Sequence, residues 1–355
     1  MQPACATPNP AAPTCVVTTL KTVPQQRKRA TLRHVAEATG LSTAAVSYAL
    51  RGLQTSEETQ RRVREAAAEL GYEADPIARA LASGRTGTVG LLCGSLEDLW
   101  QQSLAVAMGR ELLHRDRFAL ILDAAGDPAR EAILARQLRD QRVDALVVQP
   151  IDPSAPDWAI LATSLPIVSI GDPLRGVEGG EVLFDNRTGV TLALEHLAGL
   201  GHRRIAVLTP NRPSTPDRPA EVHVGVEASR LGLDVRLVTS PHALGGATAC
   251  AVEILGTADR PTAVFCFADS IAYGVYAAAR RLGLDVPGDV SVVGYDSHPM
   301  SALLTPALST VDWDLEGIVR QATSLAIAQI DDRTHRRFVR SPRLWVRDST
   351  APPAV

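Results

Sequence analysis

The sequence predicts an α/β protein in which a small all-α N-terminal region precedes two stacked α/β lobes. Three observations carry this. The chain has 355 residues, room for two or three domains at roughly 100–200 residues each. From Thr88 onward, short Val/Ile/Leu runs alternate with helix-patterned segments, the texture of parallel sheets covered on both faces. Between Thr31 and Tyr72 the apolar residues recur only at helical spacing, with a glycine at each break. Hydrophobic residues make up 45% of the chain and aromatics only 4%, which favours helices packed on aliphatic strands.

Residues 1–26 are rich in Pro, Ala and Thr and lack the charged start and long apolar stretch of a signal peptide. They read as a disordered extension. No apolar run approaches the roughly 18 residues of a membrane span. Five scattered cysteines (Cys5, Cys15, Cys93, Cys250, Cys266) have no metal-ligand spacing. Cys93 and Cys266 sit in apolar runs and read as core, so a reducing, cytoplasmic setting is expected, with no metal and no cofactor. The net charge is −3, yet Gln25 to Arg85 holds ten Lys/Arg against seven acids. That segment is therefore +3 and the remainder −6. A basic N-terminal portion on an acidic body fits a polyanion partner or a plain solvated surface.

Three helices fit between Thr31 and Tyr72. The first turns Leu32, Val35 and Ala36 inward and stops at Gly40. Ser42 caps the second, about Thr43 to Leu50, with Val46 and Ala49/Leu50 inward and Gly52 after it. Ser56 caps the third, with Glu57 and Glu58 in its first turn, Val63, Ala67 and Leu70 inward, and Gly71 closing it. A further short helix is signalled by Asp75 as cap and Pro76 at the first helical position, running to Ser83 before a linker at Gly84–Gly87.

The segment Thr31 to Leu50 has helix-turn-helix form. Glycine sits at the bend, and the second helix opens with small polar residues able to reach bases and phosphates. A trihelical cap on an enzyme has the same pattern, so both readings stand at this level.

In the remainder, candidate strands are Val89–Leu92, Ala119–Leu122, Ala145–Val148, Ile167–Ile170, Val182–Phe184, Ile205–Leu208, Asp234–Val238, Ala263–Phe267 and Val290–Val293. Candidate helices are Leu104–His114, Arg130–Arg139, Gly189–Leu200, Gly246–Leu255 and Ser270–Leu282. This is too much for one small sheet, hence two lobes. No Walker loop, zincin motif or dinucleotide fingerprint is present. Asp296, Ser297 and His298 are neighbours, but a catalytic triad is defined by geometry rather than adjacency.

Several ordered segments resemble the LacI/GalR family of bacterial repressors. They are Thr31-Leu32 with His34-Val35-Ala36, Gly40-Leu41-Ser42, Val46-Ser47, Leu70-Gly71-Tyr72, and Pro76 through Leu81. Further on come Leu200-Gly201-His202-Arg203, Pro261-Thr262-Ala263, Val286-Pro287-Gly288-Asp289 through Asp296, and Leu308-Ser309-Thr310-Val311. The resemblance spans about residues 30 to 346. It implies an α/β fold with an N-terminal all-α helix-turn-helix headpiece and hinge helix, joined to two Rossmann-like lobes of periplasmic-binding-protein type. The domains then read as headpiece 27–74, hinge and linker 75–86, effector and dimerisation domain 87–346, and a tail 347–355. Within the effector domain, 87–184 plus 312–346 form one lobe and 185–311 the other.

The implied function is a sequence-specific transcriptional repressor, not an enzyme. Its partners would be double-stranded operator DNA, a second copy of the chain, and a small effector, most often a sugar in this family. Thr43, Ala44 and Tyr48 would read bases. Thr31, Ser42, Ser47, Ser56 and Thr59 would anchor phosphates, and Arg27–Arg29 would neutralise the backbone. Ala78 and Leu81 would meet the minor groove, Leu81 as a wedge. Effector contacts are expected at Ser95, Asp172, Arg218, Asp269, Asp296 and Trp313, mostly beyond strand C-termini. Asp269 reads equally as a helix cap, Trp313 and Trp100 equally as core. The chain departs from the family pattern at Ala268, Ser297 and Val222, so the ligand goes unnamed. The rivals are a solute-binding receptor, or an enzyme on the same lobes, without a DNA role.

Overall fold

The computed structural model describes residues 30–72, 84–211, 217–333 and 335–354, without the side chains of 217–220. The chain divides into two compact units, the first ending at Ala78 and the second beginning at Arg79.

The first unit contains α1 (Leu32–Thr39), α2 (Thr43–Leu50) and α3 (Glu57–Glu69). Gly40 ends α1 at φ 67, a left-handed turn that glycine makes without steric cost. Ser42 Oγ accepts from the Ala45 N–H at 3.2 Å, and Ser56 Oγ from the Thr59 N–H at 3.3 Å. Glu57 and Glu58 sit at the positive end of α3. Each helix contributes one fully buried valine, Val35, Val46 and Val63, joined by Ala36, Ala49 and Ala67. At about 1.5–3 kcal/mol per buried side chain, these valines are the main apolar anchors of a very small core. The capped helices and their inward faces agree with the sequence reading, except that Leu70, expected inward, sits just past the end of α3 and is exposed.

The second unit holds two six-stranded sheets. The first has the order β2 (Phe118–Asp123), β1 (Thr88–Cys93), β3 (Ala145–Val148), β4 (Ile167–Gly171), β5 (Gly180–Phe184), β11 (Arg336–Arg340), all parallel. The second has the order β7 (Asp234–Ser240), β6 (Arg204–Pro210), β8 (Ala263–Cys266), β9 (Ser291–Tyr295), β10 (Ser309–Asp312), β12 (Arg343–Trp345). Only β12 runs antiparallel to its neighbour. In each sheet the first strand lies inside the second, so the order reverses at β1/β3 and again at β6/β8. A crevice opens outside the strand C-termini at such points.

Helices α4 (Leu99–Leu113), α5 (Pro128–Asp140), α6 (Asp157–Ala162) and α11 (Leu315–Asp331) cover the first sheet. The second sheet is covered by α7 (Asn186–Gly199), α8 (Asp217–Leu231), α9 (Leu244–Leu255) and α10 (Asp269–Leu282). Every strand expected from the sequence is present. The expectation missed β10, β11, β12, α6, α8 and α11.

The lobe boundaries differ from those expected. Residues 312–346 do not form one block: α11 and β11 join the first lobe, whereas β12 pairs with β10 in the second. The end of the chain is not a free tail either. Ser349 is fully buried and donates to the Val292 carbonyl at 2.6 Å. The Ala351 N–H donates to Ser291 Oγ at 3.0 Å, and its carbonyl accepts from His202 Nε2 at 2.9 Å. Short polar residues hydrogen-bonding across a sheet end leave no periodic signal, which is why the pattern read as a tail.

The chain crosses between lobes after β5, after β10 and after β11. Six aromatic rings gather at these crossings in a chain with only 4% aromatics. Trp100 and Phe184 pack edge to face at 5.5 Å, Phe184 and Trp313 at 4.9 Å, and Trp313 and Tyr295 at 5.4 Å. Tyr295 continues to Phe267 and Phe265. Sheet and crossing segments thus share one apolar seam.

Candidate nucleic-acid interface and interlobe cleft

In the first unit, α2 buries Val46 and Ala49 and leaves Thr43, Ala44 and Tyr48 exposed, with Ser47 half-buried. The helical period places Thr43, Ala44, Ser47, Tyr48 and Arg51 on one side. Arg51 was not singled out in the sequence. Its guanidinium lies 5.2 Å from the Tyr48 ring centroid, and its Nε donates to the Ser47 carbonyl at 3.2 Å. This contact orients the phenol and sets a positive charge beside it. The signal was available, since Arg51 is eight residues after Thr43.

Ser42 and Ser56 use oxygen lone pairs to cap their helices, and Ser56 Oγ lies 2.9 Å from Thr59 Oγ1. A hydroxyl can cap in this way and still donate outward, so capping and phosphate contact are compatible. Thr31 is exposed at the N-cap of α1, its N–H donating to His34 Nδ1 at 3.2 Å. Arg27–Arg29, Ala78 and Leu81 lie outside the described residues.

In the second unit the expected effector residues separate. Asp296 follows β9 with φ 119, a strained backbone for a non-glycine residue. It lines an interlobe cavity of about 450 Å³ with Trp100, Ser103, His298, Asp312 and Arg343. Ser95 follows β1 and is buried. Its N–H donates to Gln101 Oε1 at 3.0 Å, and its Oγ accepts from the Glu97 N–H at 3.3 Å. Asp172 is half-buried just beyond β4. Arg218 lies on α8, its side chain outside the described set.

Asp269 and Trp313 are both buried and engaged by the protein itself. Asp269 is not the cap of α10, since Ala268 holds that position. It is 1% exposed, and its carboxylate accepts from Ser301 Oγ at 2.6 Å, Thr310 Oγ1 at 2.6 Å and the His298 N–H at 2.8 Å. Burial outweighs these bonds and pushes its pKa up to about 6. Trp313 is 1% exposed within the aromatic seam, and Trp100 is buried in the same seam while its edge reaches the cavity. Their packing reading is the one observed.

Three further polar residues, two at strand ends and one at a helix start, lie near element boundaries. Gln149 directly follows β3 at the reversal point, is buried, and its Nε2 has no partner among the described residues. His242 follows β7, with Nδ1 3.1 Å from Ser270 Oγ. Asp98 caps α4 by accepting from the Trp100 N–H at 2.9 Å, and burial raises its pKa against the opposing charge of His242. Each lies within three residues of an element boundary, where the rule placing ligands beyond strand C-termini would have found Gln149 and His242. Among the described residues no group of acids, histidines and cysteines could hold a metal ion, and no helix is long and apolar enough to cross a membrane.

Comparison with known proteins bears on both units. Residues 31–75 match the family model for bacterial regulatory proteins of the lacI family, and residues 194–350 match the periplasmic binding protein-like domain. The chain is 33% identical over 334 residues to the HTH-type transcriptional regulator GalR of Escherichia coli (strain K12), covering 92% of this chain and 97% of that protein. A crystal structure of the Lac repressor dimer bound to operator and an anti-inducer superposes with a TM-score of 0.82 at 22% identity, covering 91% of this chain and 100% of that one. The complex of the transcriptional regulator CelR with cellobiose gives 0.63 at 25% identity, covering 90% of this chain and 100% of that one.

Proposed function

The chain belongs to the lacI family of bacterial regulatory proteins, a DNA-binding transcriptional regulator, and from that premise we propose that it is a cytoplasmic repressor binding a palindromic operator as a homodimer under control of a sugar in the interlobe cleft. The observation that carries the reading is α2, which turns Thr43, Ala44, Ser47 and Tyr48 outward from a capped, three-valine core. Thr43 and Ala44 suit a thymine methyl, while Tyr48, steadied by Arg51, meets a base edge or sugar. Ser42, Ser56, Thr59 and Thr31 hold phosphates and set register. Ala78 and Leu81 enter the minor groove.

Dimerisation is supported by apolar side chains left exposed on the second lobe. Leu244 and Met300 border one cavity with Tyr273, Tyr276 and Leu304. An exposed cluster of this kind marks a protein-protein surface. For the effector, Ser95, Asp172, Arg218 and Asp296 contact ligand hydroxyls, joined by Gln149 and His242, while Asp269 and Trp313 shape the wall behind them. The cellobiose complex of the CelR relative supports the sugar class. Ligand binding shifts the lobes between two states, and the ligand must bind one better for DNA affinity to change.

Site selection from a randomised duplex pool tests the reading. An inverted repeat is expected to be enriched, and its affinity should change when a sugar that raises the thermal midpoint is added. Recovery of no preferred sequence would sink the operator reading, and a sugar panel without any shift would sink the effector reading.

A further inference from the structure

The first sheet ends at β11, which pairs with β5 on one side and has no strand beyond it among the described residues. Its ladder fixes which main-chain groups face outward. The Arg336 N–H donates to the Gly179 carbonyl at 3.2 Å, and the Arg340 carbonyl accepts from the Asp185 N–H at 2.9 Å. Successive residues of a strand bond alternately to one side and to the other. Arg336, Phe338 and Arg340 therefore bond to β5, and Arg337 and Val339 turn their N–H and C=O groups to the free edge. Such a row is a template for another extended chain.

The side chains add a charge that the other long sheet edges lack. Arg336, Phe338 and Arg340 share one face with Arg320, Gln321 and Ser324 of α11, around a cavity of about 350 Å³. Phe338 is 38% exposed and Val339 60%. Residues 336–347 hold five arginines and no acid. Three of them meet carboxylates from elsewhere: Arg337 with Glu181 at 2.5 Å, Arg343 with Asp312 at 2.8 Å, and Arg340 with Asp314. On α11, Glu316 lies 3.7 Å from Arg320. Counting all of these leaves an excess of two positive charges along the edge. The outer strand β2 reads Phe-Ala-Leu-Ile-Leu-Asp, with one acid, and β7 reads Asp-Val-Arg-Leu-Val-Thr-Ser, with one charge of each sign.

This charge decides what the edge can accept. A second copy pairing edge to edge would set arginines opposite arginines, which is unfavourable. The face of β11 beside α11 alternates basic, apolar, basic, and its complement alternates acidic, apolar, acidic. We propose that β11 docks an extended acidic segment of a partner protein, which adds to the sheet as a seventh strand. Its carboxylates meet Arg336 and Arg340, and an apolar side chain between them meets Phe338. The main-chain bonds at Arg337 and Val339 supply affinity, and the alternating side chains supply specificity. The inference is independent of the operator and effector readings.

The test uses the full-length chain and a short fluorescent peptide carrying Glu-Thr-Val-Thr-Glu between serines, followed by anisotropy. Saturable binding that weakens with added salt is expected. The same peptide with Lys for Glu should not bind. A form N-methylated at its Thr and Val residues keeps the charge but loses the edge bonds, and should bind about tenfold more weakly or worse. Val339→Pro removes an outward N–H and leaves the β5 ladder intact, so it should show a similar loss at an unchanged thermal midpoint. Arg336→Gln should weaken binding, and the surface control Arg110→Gln should not. No saturable binding of the acidic peptide overturns the inference, as does an equal loss in Arg110→Gln. Equal binding of the N-methylated peptide, or full binding by a folded Val339→Pro, would reduce the edge to a patch for any polyanion and overturn it too. Should Val339→Pro fail to fold, the N-methylated peptide on wild type decides alone.

Discussion

Replacing Asp269 by alanine removes the acceptor for three donors at once: Ser301 Oγ, Thr310 Oγ1 and the His298 N–H. Hydrogen bonds to a charged acceptor contribute about 1.5–3 kcal/mol each. Part of that sum is offset because burial opposes the charge, as the raised pKa of about 6 records. We expect a net cost of about 3–5 kcal/mol, since three buried neutral donors are left unsatisfied at about 1–3 kcal/mol each. Asparagine should behave differently. Its oxygen keeps the bonds from Ser301 and His298, and its amide donates to Thr310 Oγ1, a hydroxyl that can accept. With no charge to desolvate, Asp269→Asn should cost only about 1 kcal/mol, the net worth of one ordinary hydrogen bond. Urea denaturation reads both as midpoint shifts at constant slope. The pH dependence adds a second readout. The folded pKa, about 6, lies above the unfolded value of ~3.9. This group's contribution to stability is therefore fully present below pH ~4 and lost as the pH rises through 6. Asp269→Asn should remove that part of the profile. An alanine variant of near wild-type stability that had lost effector binding would refute the reasoning and return Asp269 to the ligand.

Three further outcomes follow from the same geometry. Tyr48→Ala should change the preferred half-site in a selection experiment, whereas Arg29→Ala should weaken all sequences alike; an unchanged Tyr48→Ala profile would refute base or sugar contact. Gly189→Ala places a methyl 2.8 Å from Tyr295 Oη and 3.3 Å from the Trp313 ring, overpacking expected to cost about 1–3 kcal/mol; an unaltered thermal midpoint would show that the seam yields. His202→Ala leaves the Ala351 carbonyl and the Ser291 and Thr262 hydroxyls without the imidazole, so carboxypeptidase should trim the chain end faster than in wild type, and equal trimming rates would refute the strap.

The headpiece was legible almost to the residue because its determinants are local. Ser42, Ser56 and Gly40 act within one helical turn of themselves, and Val35, Val46 and Val63 sit at helical spacing. The nine expected strands were legible because buried parallel strands are unbroken apolar runs. The missed strand β11 reads Arg-Arg-Phe-Val-Arg, an edge strand too exposed to be apolar. The site was less legible. Asp269 and Trp313 follow the rule for strand ends, yet their surroundings come from residues 301 and 310 and from Phe184 and Tyr295, which only the folded chain brings near. Gln149 and His242 carried no motif at all.

The sequence by itself determined the order of modules, the capped helices with Thr43, Ala44 and Tyr48 facing outward, and the family. All of these depend on short-range periodicity or on strings of neighbouring residues. Only the tertiary structure decided which lobe owns β10, β11 and β12, that the chain end straps down the second sheet, and which carboxylates face the cleft. Those outcomes depend on contacts between residues tens to hundreds of positions apart, and burial, which sets whether a carboxylate meets a ligand or its own protein, is a property of the packed chain alone.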